Sequence, residues 1–476
     1  MVSMAPHNFD QQNLRKDNGL YDVISTIVAG DFHGFIEEIV GNTYGISRAL
    51  FLGTIFCGLW MALWKMIPGL PLFALGWLIG TMPIWIVPAC MASAWTWWMW
   101  YVHSWHEHSK HKILLEIKIP NSIVKSPRAM EAVFAHLDLG GQDNTFINRL
   151  WNGGFPPRFS FEIVSFGGDV HFYVWTWRVF KRSVEEALYA QYPELEIIEV
   201  EDYAMAFTYD PEKTKAVCWD WRLEPKNDAY PFKTYVDWEL EDEVDEEYKI
   251  DPFAQVMETM SSMSPTEQGW VQIIITKNKD KAPGKRWFDT GDRFGQWVHE
   301  AVDKIRKETV LGAHPEPGDE KWRATAARLE QFHVGEVLRS IERNASKPHF
   351  NVGMRGTYMV SPTNTFSNAG FNNFRFMWRP FADEKYRNYI RHRRWHPPLD
   401  YAYQDLWDIR FNIIAKRFFD CYRRRGHFQP PWIFPHNTWS VEMLASVWHP
   451  PSRGVEAHGL ERISSKKKEA PHNLPM

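Results

Sequence analysis

Residues 159–176, FSFEIVSFGGDVHFYVWT, decide how most of this chain is read. Phe159, Phe161 and Ile163 alternate with Ser160, Glu162 and Val164, the period of two that sends successive side chains to opposite faces of a strand. Gly167, Gly168 and Asp169 supply the small turn-forming residues that a tight reversal needs. Val170–Thr176 then resumes the strand, so the stretch reads as a β-hairpin. His171, Tyr173 and Trp175 share one face of the returning strand. Rows of that kind stack RNA bases on some sheets, but packing against a neighbouring unit is the simpler use.

Working outward, Ile113–Ile119 alternates as a strand and Ser126–Leu137 has helical spacing. Downstream, Phe180–Tyr189 reads as a helix and Leu195–Val200 as a strand. The order βαββαβ is the split pattern of ferredoxin-like domains, giving a first unit over residues 112–210. A looser version follows after Pro211. Val217–Leu223 and Pro231–Leu240 read as strands, Phe253–Met263 as a helix and Trp270–Lys277 as a strand. Helical regions Trp287–Arg306 and Glu320–Asn344 and a strand Phe350–Val360 complete a second ferredoxin-like unit, residues 211–361, with helical insertions. The order repeats without a matching sequence. The acidic stretch Glu239–Glu247 reads as a solvated spacer.

Upstream, Ala49–Trp105 is apolar over an unusual length, interrupted only by Lys65. About 20 apolar residues cross a hydrocarbon core, so the sequence predicts a two-helix transmembrane hairpin over 46–105, with passes Ile46–Met66 and Leu72–Trp100 turning at Pro68, Gly69 and Pro71. Trp95, Trp97, Trp98, Trp100, Tyr101 and Trp105 have the composition of a membrane-interface belt. Both ends of such a hairpin emerge on one side. Arg15, Lys16, Arg48, Lys110 and Lys112 flank it, which places both termini in the cytoplasm and the protein in the inner membrane. The segment 1–45 contains an amphipathic helix from Leu20, whose acidic polar face favours protein contact over lipid.

The formal net charge of −4 over 476 residues says little about partners. Cys57, Cys90, Cys218 and Cys421 form no C-x-x-C motif, which fits a reducing compartment. Between Arg375 and Arg425 Lys and Arg outnumber Asp and Glu, with clusters at Arg391, Arg393, Arg394 and at Arg423, Arg424, Arg425. Interleaved with Phe374, Phe376, Trp378, Tyr386, Tyr389 and Trp395, these could hold nucleic-acid phosphates or anionic lipid headgroups. Pairing with acidic loops and stacking on core-edge aromatics is the plainer use of the same arginines. Residues 362–448 thus form a basic, aromatic-rich helical region, followed by an extended tail, 449–476. Beside the aromatic belt, His103, Glu107 and His111 would stack on one face of a continuing helix, a weak metal-site candidate, with an interfacial polar collar as the preferred reading. Lys110 stands where an H-E-x-x-H motif would need its second histidine. Gly284 with Lys285 lacks the rest of a phosphate-binding loop, and no G-x-G-x-x-G or G-x-S-x-G occurs. Neither a catalytic residue nor a cofactor is expected.

The runs Phe161–Ser165 and Val170–Trp175, the run Tyr189, Ala190, Gln191, Tyr192, Pro193, the segment Lys233–Asp237, and the tail residues Leu460–Ile463, Ser465–Lys467 and Asn473–Pro475 resemble an uncharacterised family of membrane-anchored proteins from the candidate phyla radiation of bacteria. That resemblance implies a type IV secretion-like setting, beside or fused to a conjugation-type motor ATPase, and brings no catalytic residues with it. No phosphate-binding loop of such a motor is found in the sequence, so ATPase activity is not expected of these residues themselves. The expectation is therefore an α+β, non-enzymatic membrane-anchored scaffold, docking a separate secretion-type ATPase and other membrane subunits and forming homo-oligomers. A membrane-tethered nucleic-acid receptor using the arginine clusters is the alternative, and a metalloenzyme at His103–His111 a third.

Overall fold

The computed structural model describes residues 48–66, 69–120, 123, 125–139, 145–240, 250–278, 281–283, 290–311, 334–383, 387–395, 409–429, 431–452, 459–460 and 462. The amphipathic helix expected within 1–45, the acidic spacer beyond Leu240, the Gly284–Lys285 pair and most of the tail lie outside them. The chain divides into two units, Met1–Met91 with His396–Ile413 and Ala92–Trp395 with Ile414–Met476.

The first described elements are α1 (Arg48–Met66), α2 (Leu70–Gly80) and α3 (Met82–His108). They correct the predicted hairpin. Among the described residues no helix is long and apolar enough to cross a membrane, so the two passes, the membrane-interface role of the tryptophans and the inner-membrane placement built on them fall. The expected second pass joins two separate helices. The chain breaks at Thr81, whose hydroxyl donates to the Trp77 carbonyl at 2.9 Å, and leaves α2 only 11 residues. Such a helix spans about 16 Å, roughly half a hydrocarbon core. α3 takes up the chain at Met82 and ends in the polar sequence from His103 to His108.

From Lys112 the chain builds β1 (Lys112–Lys118), α4 (Arg128–His136), α5 (Phe146–Leu150), β2 (Arg158–Phe166), β3 (Asp169–Trp177), α6 (Lys181–Gln191), β4 (Glu196–Val200), α7 (Tyr203–Ala206) and β5 (Lys215–Glu224). There follow α8 (Phe253–Ser261), β6 (Glu267–Lys277), the short ribbon β7 (Lys281–Pro283) and β8 (Thr290–Asp292), α9 (Arg293–Leu311), α10 (334–346) and β9 (His349–Val360). The C-terminal elements are α11 (Asn368–Phe376), β10 (Tyr389–Arg394), α12 (Ile409–Arg423), the small pair β11 (Phe428–Gln429) and β12 (Trp432–Ile433), β13 (Asn437–Ser440) and α13 (Val441–Val447). The β2–β3 hairpin is as the sequence predicts. Gly167 and Gly168 turn it with φ of 63° and 101°, angles that glycine adopts without a Cβ penalty.

These strands do not form two ferredoxin-like units. They form one antiparallel nine-stranded sheet in the order β10-β5-β9-β6-β2-β3-β1-β4, with β13 paired to β9 beside the end of β5. The seam is β2 against β6, in register from Arg158↔Thr276 to Phe166↔Gln268. Both strands are buried on both faces, so hydrogen bonding continues where two separate domains would each have ended in an edge. Two further expectations fail. Residues 231–240 form no strand but a turn in which the Thr234 amide donates to Asp237, and the C-terminal region contributes two strands to the large sheet, β10 and β13, besides the β11–β12 pair and its helices.

The sheet is covered on both faces. Odd-numbered positions such as Phe161, Ile163, Trp219, Trp221, Ile273 and Ile275 pack with α4, α6, α8, α11 and α13. Even-numbered positions such as Val164, Cys218 and Trp270, with Tyr173, Trp175 and Trp177, pack beneath α7 and the Ala415–Tyr422 part of α12. The high tryptophan content is used here. Trp175, Trp177, Trp219, Trp270, Trp378, Trp439 and Trp448 are all fully buried, each removing a large apolar area from water.

β13 is held to the loop after β5 by Asp228, whose carboxylate accepts from the Thr438 amide at 2.6 Å and from Asn437 Nδ2 at 2.8 Å. Burial nevertheless raises its pKa to about 6, those two donors opposing the rise. Because the folded value lies above the ordinary 3.8, the native state binds this proton more tightly than the unfolded chain does. The group therefore costs about 3 kcal/mol at pH 7, and that cost disappears as pH falls through 6 towards 4. The difference in unfolding free energy between wild type and Asp228→Asn is expected to move by about 1.4 kcal/mol in favour of the wild type between pH 7 and pH 5. Urea melts at the two pH values measure it, and a pH-independent difference would refute it.

Candidate functional site

Strand register carries a row of polar side chains across the sheet beneath α12. In order the Cα partners are Arg393, Asp220, Arg355, Gln272, Glu162, Tyr173 and Glu116, one from each of seven adjacent strands. Buried polar groups are tolerated when each finds a partner. Gln272 Nε2 donates to Glu162 at 3.0 Å and to the Tyr422 carbonyl, and Arg355 donates to the Gly426 carbonyl at 2.7 Å and lies against Cys421 Sγ and His427 Nδ1.

The centre of the row is closed by Arg425. It sits just past the end of α12 with φ of 47°, a left-handed position where helices usually place glycine. Its guanidinium reaches Glu162 by Nε at 2.9 Å and Nη2 at 3.0 Å, and also pairs with Asp202. Asp202 caps α7 through the Ala204 amide. Tyr203, the first residue of that helix, gives its hydroxyl to Glu162 at 2.7 Å and meets the Tyr422 hydroxyl at 2.9 Å. Burial works against the charge on Arg425, and Glu162 and Asp202 outweigh it, so its proton is held more firmly than usual. Burial and the Glu162 charge likewise push Tyr203 and Tyr422 far up. Arg425 and Glu162 are both 0% exposed. The Arg425–Glu162 pair is closed to solvent, and the cluster ties α7 and α12 to the sheet.

Arg425 is thereby removed from the predicted basic patch. Arg424 pairs with Asp420 one turn back at 2.9 Å, and Arg423 donates to the Phe419 carbonyl. The second cluster is on β10, an edge strand, and the alternation of the strand splits it. Arg391 and Arg393 point to the α12 side and both bind Glu224. His392 and Arg394 point the other way, paired in register with Trp221 and Trp219. There α11 brings Phe376, with the Arg375 guanidinium 4.3 Å and that of Arg379 4.6 Å from its ring centre. His392 meets the same ring edge-on at 5.1 Å. Burial, and then the charges of Arg375, Arg394, Arg391 and Arg393, lower the His392 pKa to about 4. Arg375 is itself lowered by burial and by Arg394 and Arg379. Arg375, Arg379 and His392 are site residues that sequence reasoning leaves out, although Phe376 is among the aromatics it singles out.

The histidine cluster packs as ordinary side chains. α3 ends at His108, so His111 lies off the helix and cannot continue the spacing of His103 and Glu107. Glu107 pairs with Arg158 at 2.7 Å and Lys112 at 2.9 Å. His103 and His106 lie against Phe155 and are lowered by burial. Among the described residues no three His, Cys, Asp or Glu side chains gather as a metal site requires. Of the aromatic belt, Trp98 meets the Trp151 ring at a tilt, 5.1 Å between centres, and donates to the Leu150 carbonyl at 3.1 Å, and Trp95, Trp97, Trp98, Trp100, Tyr101 and Trp105 are all exposed. Of the row His171, Tyr173, Trp175, the last two are buried beneath other side chains, while His171 stays partly exposed and pairs with Glu116. Tyr203 stacks on Tyr173 at 5.2 Å and Arg425 lies over Trp175. No family model and no curated protein matches the chain.

Proposed function

We propose that the chain is a non-catalytic docking subunit, and that α1–α3 form its contact with a partner protein. One observation carries this reading. Phe56, Leu59, Met61 and Trp64 on α1, Phe73 and Trp77 on α2, and Ile84, Met91, Trp95, Trp97 and Trp105 on α3 are all exposed to solvent. Water-facing proteins rarely leave that much contiguous apolar sequence uncovered, and tryptophan is the residue most enriched where partners bind. The resemblance to secretion-associated proteins supports a motor ATPase of the conjugation type as the partner, and the buried character of the ionised residues around Glu162 supports a role without chemistry.

Purification of the full chain under native conditions tests this. The expected result is an ATPase recovered in fixed ratio, and its loss when Trp64, Trp97 and Trp105 are replaced together by Ser with the melting temperature of the sheet unchanged. A chain that purifies alone, or only with copies of itself, refutes the proposal.

A further inference from the structure

The sheet edge at β10 gathers positive charge that no carboxylate among the described residues neutralises. Arg375, Arg379 and Arg394 converge from α11, the turn that follows it and β10, and none is paired with a carboxylate among the described residues. Arg375 Nε is buried with no hydrogen-bond partner. Across β10, Glu224 lies on the opposite face and is occupied by Arg391 and Arg393. Like charges held this close repel, so folding tolerates the arrangement without using it.

The guanidiniums are also pre-positioned. Arg375 is stacked on Phe376 and on Phe371, at 4.3 Å and 5.2 Å from the ring centres, and Arg379 on Phe376. Stacking fixes the plane of each fork while leaving its N–H groups free to donate, and planar forks match the oxygens of phosphate in pairs. We propose that Arg375, Arg379 and Arg394 form a phosphate-binding site that holds the backbone of a nucleic acid along the β10 edge. The backbone, and not the bases, is recognised, because Phe376, the ring shared by Arg375 and Arg379, is already covered by their guanidiniums. A polymer is favoured over a single phosphate because the same edge strand also carries Arg391 and Arg393, which lie on its other face and pair with Glu224 yet keep about half of their side chains exposed (45% and 51%), within reach of a backbone that runs along the edge. This site is independent of the docking surface proposed on α1–α3.

His392 gives the site a pH signature. The groups on its face are Phe376 and Arg375 from α11, Trp221 from β5 and Arg394 from its own strand, while Arg391 and Arg393 act on it from the other face of β10. Burial first, and the arginine charges second, keep His392 neutral; a phosphate bound there offsets the second of these, so binding takes up a proton and strengthens as pH falls.

The test is fluorescence anisotropy of the full chain with a labelled oligothymidylate, titrated with salt. Three phosphate contacts on a single strand predict a slope of log K against log salt of about −2. Arg394→Gln and Arg375→Gln are each expected to weaken binding about tenfold and to make the slope shallower by about 0.7, whereas Arg424→Gln changes neither. Wild-type affinity should rise between pH 8 and pH 5.5, and His392→Gln should flatten that rise with an unchanged melting temperature. Inorganic pyrophosphate as sole probe separates the sources. Binding of pyrophosphate without binding of the oligonucleotide overturns the nucleic-acid assignment, and oligonucleotide binding unaffected by Arg375→Gln and Arg394→Gln overturns the site.

Discussion

Replacement of Arg425 by methionine is expected to lower the free energy of unfolding by about 3–5 kcal/mol, because removing one partner of a buried pair leaves the other charged and unpaired. Here two carboxylates lose their cation at once. Glu162 is fully buried and keeps only Ser160, Gln272 and Tyr203 as donors, from Ser160 Oγ at 2.6 Å, Gln272 Nε2 at 3.0 Å and the Tyr203 hydroxyl at 2.7 Å. Glu162→Gln should restore part of the loss when combined with Arg425→Met, since it removes the stranded charge while leaving an acceptor in place. The double variant is therefore expected to be more stable than Arg425→Met alone. Urea denaturation of the single and double variants gives the coupling. A double variant no more stable than the single would show that Glu162 does not depend on Arg425.

This pair also marks the limit of what sequence spacing reveals. Glu162 and Arg425 stand 263 positions apart, and nothing local distinguishes Arg425 from Arg423 and Arg424. All three read as one basic cluster for phosphates or headgroups, yet one is buried, one pairs with Asp420 and one turns to its own helix. The β2–β3 hairpin was legible because its signals are local, a period of two and a glycine pair with positive φ. The β2–β6 seam was not, although Trp270 to Ile275 offered a clue: apolar residues at nearly every position mark a strand buried on both faces, and such a strand lies inside a sheet.

The β10 edge shows a subtler failure. Read as part of a helical region, Arg391, Arg393 and Arg394 form one patch. Read as a strand they alternate, and the two that share a face meet Glu224 while Arg394 joins Arg375 and Arg379 on the other. Secondary structure thus decides which arginines are neutralised. At α1–α3 the error has the opposite origin, since a hydropathy window averages across the break at Thr81 that ends α2. Resemblance extended the same expectation, because it concerned membrane-anchored proteins and gave no independent test of helix length.

Replacement of Trp270 by alanine is expected to cost about 3–5 kcal/mol, the range for deleting a large aromatic side chain from a core. Trp270 stands on β6 next to the seam, and its ring is met by Phe166 from β2, Tyr203 and Phe207 from the α7 segment, and Phe419 and Tyr422 from α12. No backbone hydrogen bond of the sheet depends on that side chain, so the sheet should persist while its cover loosens. Hydrogen exchange is expected to speed up in α7 and the Ala415–Arg423 part of α12 and to leave α4, α8 and α13 on the opposite face protected. Because Tyr203 and Tyr422 touch both Trp270 and the Glu162–Arg425 cluster, the two sites are in contact and their effects should not add. Once Trp270→Ala has freed α7 and α12, Arg425→Met has less left to release, and the double variant should lose less than the sum of the single losses. Strict additivity, or loss of protection spread evenly over both faces, would show that the cover and the sheet do not separate along this boundary.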